Sequence, residues 1–83
     1  MGTKKMDETL RTSIDRALVE LEAVSDEIRI KIHLAGMDAR DAWDTSLEPR
    51  LEQARAHAQE AKEASKKAID ETLTAFRKFS AVL

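Results

Sequence analysis

The chain has 83 residues, 42% apolar and 36% charged, which makes one small domain at most, too apolar for an ordinary disordered chain and too charged for a membrane span. The 14 basic and 16 acidic residues, net −2, are interspersed, so there is no basic stripe of the kind that nucleic acid requires. Cysteine is absent, which removes disulfides and thiolate zinc sites together, and Trp43, Phe76 and Phe79 are the only aromatics, so oligomerisation is the expected route to a sufficient core.

Residues 1–5, Met-Gly-Thr-Lys-Lys, are polar and are expected to be disordered; a single helical domain is expected over 6–83. From Met6 a helical period takes over. Leu10, Ile14, Ala17, Leu21, Val24 and Ile28 recur at spacings of four, three, four, three and four, a heptad-like seam that continues through Ile32, Ala35, Ala39 and Trp43. The spacing of four on both sides of Ile28 is a stutter-like shift that relaxes the supercoil. Glu27 stands four residues before Lys31, the favourable order for an ion pair on a helix.

Within this stretch, Ile28 to Leu34 alternates strictly between apolar and charged or polar residues, as a strand would. At about 100° per residue the alternation resolves into two helical stripes. Ile28 and Ile32 fall on the seam with Leu21. Ile30 and Leu34 fall on the far side with Val19, Ala23 and Met37. No second β-branched run exists for a strand to pair with, so 28–34 is expected to be helix.

Two places are suited to end the first helix. Gly36 fits a helix C-cap, followed by Asp38 as a new start. Asp44, Thr45 and Ser46 are N-cap residues, and Pro49 would sit in a first turn, where a missing N–H costs little. A turn near 44–48 gives two arms of similar length, with Ile28 and Ile32 facing the small Ala61 and Ala64, and Leu10 and Ile14 facing Phe76 and Phe79. A turn at Gly36 leaves Ile69, Leu73, Phe76 and Phe79 without an intrachain partner. The turn near 44–48 is therefore favoured, with Gly36 inside a helix at a cost of about 1 kcal/mol relative to Ala. The second helix then runs to about Val82 on a stripe of Leu47, Leu51, Ala54, Ala58, Ala61, Ser65, Ala68, Thr72, Phe76 and Phe79, with Ile69 at its edge; the stripe is in phase straight through Pro49, which leaves a kinked continuous helix as the alternative.

The expected fold is thus all-α: two long antiparallel helices, a helical hairpin, assembling as a homodimeric four-helix bundle or coiled coil. The far-side stripe motivates the dimer, since a helix buried on one side would not need it. The expected interface residues are Val19, Ala23, Ile30, Leu34, Met37, Trp43, Phe76 and Phe79. Trp43 either plugs the hairpin tip or anchors a partner.

His33 and His57 are the only histidines, and the Glu-x-x-His spacing of helical metal sites is absent, so they read as rim residues and no metal or cofactor is expected. There is no Gly-rich phosphate loop and no Ser–His–acid grouping, which argues against an enzyme. The expected function is a non-enzymatic, cytoplasmic interaction or scaffold protein acting through self-association and partner binding. The alternative is an amphipathic coat on a lipid or granule surface. The mixed sign of the polar face weighs against it, because membrane-surface helices tend to be basic.

Overall fold

A computed structural model describes the backbone of residues 2–83 and the side chains from Thr9 onward. The segment 1–5, expected to be disordered, lies outside the residues whose side chains are described. The chain is helical: α1 spans Gly2–Ala35, α2 Met37–Ala42, a π-helical turn Trp43–Leu47, α3 Glu48–Glu60 and α4 Glu63–Val82. Among the described residues only Gly36, Ala61, Lys62 and Leu83 stand outside a helix. The stretch 28–34 is helix, as the two-stripe reading requires.

The expected hairpin with a turn near 44–48 is not what the chain forms. Residues 37–60 make one continuous helical rod, and the chain reverses at Gly36 and again at Ala61–Lys62. The result is a three-helix, up-down-up arrangement 53 Å long and 17 × 14 Å across. The side chains record the directions. Arg55 of α3 reaches Glu22 of α1 while Arg29 of α1 lies over the Trp43 ring at 5.8 Å, so these rods are antiparallel. Arg77 meets Glu20 at 3.2 Å, and Lys31 donates to the Ser80 hydroxyl at 3.0 Å, so α4 runs parallel to α1.

At Gly36 the backbone takes φ 110 and ψ 177, a region essentially open to glycine alone. Its carbonyl accepts from the Arg40 N–H at 3.4 Å and so begins the second rod. Where a turn was expected, Pro49 instead produces a widened helix. A proline inside a helix lacks an N–H and presses its ring on the carbonyl four residues back. Here the Glu48 N–H bonds the Trp43 carbonyl five residues back, and the π-turn relieves the clash without breaking the rod. The Thr45 hydroxyl donates to the Asp41 carbonyl at 2.7 Å within this segment.

The core follows the seam on α1: Ile14, Ala17, Leu21, Ile28 and Ile32 are buried, with Leu10 and Val24 packed against them. The middle rod contributes Trp43, Leu47, Leu51 and Ala54. On α4 the buried face is wider than one stripe and takes in Ser65, Ile69, Thr72, Leu73, Phe76 and Ser80. Ile69 moves from the stripe's edge to its centre because α4 sits in the groove between two rods. Phe76 meets Trp43 edge to face, ring centroids 5.2 Å apart at 63°, a contact worth about 0.5–1.5 kcal/mol beyond its area. Lys31 also donates to the Ser80 carbonyl at 3.2 Å, placing a cation at the negative end of the α4 dipole. Among the described residues, Ser25 carries a buried hydroxyl with no hydrogen-bond partner.

Candidate interaction surface

With its seam buried, α1 turns a second apolar row outward. Val19 is 70% exposed, Ile30 68%, Leu34 90% and, just beyond Gly36, Met37 80%. Ala23 is exposed between Val19 and Ile30. Ile30 and Leu34 are forced outward by the same geometry that turns Ile28 and Ile32 inward, because residues two apart lie nearly opposite on a helix. Covering Ile30 or Leu34 is worth roughly 1.5–3 kcal/mol each.

Ion pairs line this row. Glu20 pairs with Arg77 at 3.2 Å, Glu22 with Arg55, Asp26 with Arg29 at 3.8 Å and Glu27 with Lys31 at 3.4 Å. The hydrogen bond from Arg55 to Glu22 holds the guanidinium pKa above its ordinary value, against a smaller opposing effect of burial. All of these groups are solvated, so each pair adds little to stability; together they leave the face charge-compensated, on its flanks and at its middle, where Asp26 and Glu27 stand between Ala23 and Ile30.

Two concavities adjoin the row. A groove of about 770 Å³ lies at the Val19 end, lined by Val19, Ala23, Ala17 and Arg16 of α1 and by Lys66 and Asp70 of α4. Lys66 and Asp70 pair across its wall at 2.6 Å. A cleft of about 460 Å³ lies at the Gly36 end, where Ile32, Met37 and Trp43 are rimmed by Arg29, Arg40, Asp44 and Glu48. Neither was legible in the sequence, since each needs a turn, at 61–62 or at 36, to bring its two walls together.

The other expected interface residues lie elsewhere. Trp43 is 3% exposed and Phe76 is fully buried, so both belong to the core of the single chain, and Phe79 is half-buried against that core. The Gly36 turn lays Trp43 against α1, and the Ala61 turn brings Phe76 onto it; a hairpin turning near 44–48 would have left Phe76 and Phe79 at an open end. His33 and His57, placed at similar heights by that hairpin, stand near opposite ends of the middle rod, beside Gly36 and before Ala61, and both are exposed. Among the described residues no three His, Asp or Glu side chains gather in a metal-binding group, and no helix is long and apolar enough to cross a membrane. No protein-family model, curated protein or solved structure matches the chain.

Proposed function

We propose that this is a non-enzymatic, cytoplasmic helical interaction protein whose working surface is the outer face of α1, and that it acts by self-association and by binding a protein partner. One observation carries the reading. Val19, Ile30 and Leu34 stand exposed along a single face of a helix whose opposite face already fills the core. Scattered surface apolar residues need no explanation, but apolar residues grouped on one helix face often mark an interaction site, here two pairs, Val19 with Ala23 and Ile30 with Leu34, parted by Asp26 and Glu27. The four-helix count of the hairpin dimer gives way to two three-helix units joined through α1. The lipid-coat alternative has less support, because the flanks of the row carry acids and bases in equal measure.

The test is the solution mass of the chain and of the double variant Ile30→Glu, Leu34→Glu. The parent should be larger than a monomer, and the variant should fall to monomer with its helical circular dichroism kept, since the buried seam is untouched. Removing two apolar side chains from a contact weakens it by more than about tenfold. A variant of unchanged mass would move the interface off this face.

A further inference from the structure

We infer that the occupant of this face is a second copy of the chain, laid α1 on α1 in antiparallel sense, with the two-fold axis crossing between Asp26 and Glu27. The inference rests on the self-association proposed above and specifies its geometry. The first ground is spacing. Within α1, which ends before Met37, the row is Val19, Ala23, Ile30 and Leu34, separated by four, seven and four residues, an order that reads the same in both directions. A two-fold contact must be self-complementary, residue i meeting j while j meets i. In the antiparallel register Val19 faces Leu34 and Ala23 faces Ile30, twice over, so a large side chain meets a smaller one at each step. A parallel pairing would set Ala23 on Ala23 and Leu34 on Leu34, a gap beside a collision.

The second ground is shape. Leu34 is the most protruding apolar side chain of the row, and the groove of about 770 Å³ opens at Val19 and Ala23, the other end of the same face. The two-fold axis carries each Leu34 to the mouth of the partner's groove. The third ground is charge. The register brings Asp26 and Glu27 of both copies to the centre, where bare carboxylates would repel. Each already holds a cation of its own chain, Asp26 with Arg29 and Glu27 with Lys31. Four apolar side chains a side are far fewer than the roughly 20–30 residues of a standard interface, so the association is weak and concentration-dependent.

The native absence of cysteine makes the register directly readable. Ala23→Cys and Ile30→Cys variants are prepared separately, checked for unchanged helical circular dichroism, and oxidised alone and mixed. In the antiparallel register each introduced thiol lies about 10 Å along the axis from its own copy. The mixture should therefore give cross-linked dimer several-fold above either variant alone. In parallel, sedimentation of the unmodified chain up to about 1 mM should show a rising mass, and Leu34→Glu should raise the dissociation constant about tenfold or more. Cross-linking of a single variant with itself, or no cross-link in the mixture while the unmodified chain still dimerises, overturns the register but leaves self-association standing. A chain that stays monomeric throughout overturns both.

Discussion

Gly36 and Ala61 both hold a positive φ, 110 and 54, and both reverse the chain, but they do so by different means. Gly36 occupies a region that only glycine enters without strain, and space around it is open, with no atom beyond its own chain neighbours within 4 Å of where a Cβ would stand. Its turn is a property of the residue. Ala61 occupies the left-handed helical region at φ 54 and ψ 44, which costs an L-residue roughly 1–2 kcal/mol. Lys62 follows in extended conformation, and its N–H reaches the Ser65 hydroxyl at a long 3.4 Å. This local bond, with that from the Lys66 N–H to the Lys62 carbonyl at 3.1 Å, begins α4 but leaves Ala61 in its costly conformation. The turn is held by what it allows: Ile69, Leu73 and Phe76 enter the groove between α1 and the middle rod, and each such burial is worth about 1.5–3 kcal/mol. A turn can thus be specified by its own residue or imposed by the packing on either side.

The largest expected effect probes the packing that imposes the second turn. Phe76→Ala should lower the unfolding free energy by about 3–5 kcal/mol in a denaturant titration, with Phe76→Leu costing less. A loss below about 1 kcal/mol would mean that Phe76 sits at an open, solvated end and that the chain does not reverse at 61–62. Next comes the first turn. Gly36→Ala should destabilise by about 1–3 kcal/mol through backbone strain alone. Were Gly36 inside a continuous helix, the same change would stabilise by about 1 kcal/mol, so the sign of the shift in Tm decides. The smallest effect is the most diagnostic of the second turn. Ala61→Gly should raise stability by up to about 1 kcal/mol, strain relief being partly offset by the freer unfolded chain. In an unbroken helix it would lower stability by about the same amount.

Part of the candidate surface was readable before the fold. The outward row on α1 follows from period alone, and Val19, Ile30, Leu34 and Met37 are all exposed. Trp43 and Phe76 were misplaced because their surroundings depend on which turns form. The stripe from Leu47 to Phe79 ran in phase through Ala61, so it offered no local sign of a break, and Asp44 to Pro49 offered turn chemistry that the helix absorbed as a π-turn.

Helicity, the buried seam of α1 and its opposed apolar row follow from residue order alone, because each depends only on the 3.6-residue period of one helix. The number of rods, the groove beside Val19 and the burial of Trp43 against Phe76 were decided by the tertiary structure. Those depend on where the chain reverses, and at Ala61 the reversal is unfavourable locally and favoured only once a distant apolar face, on α1, is there to receive α4.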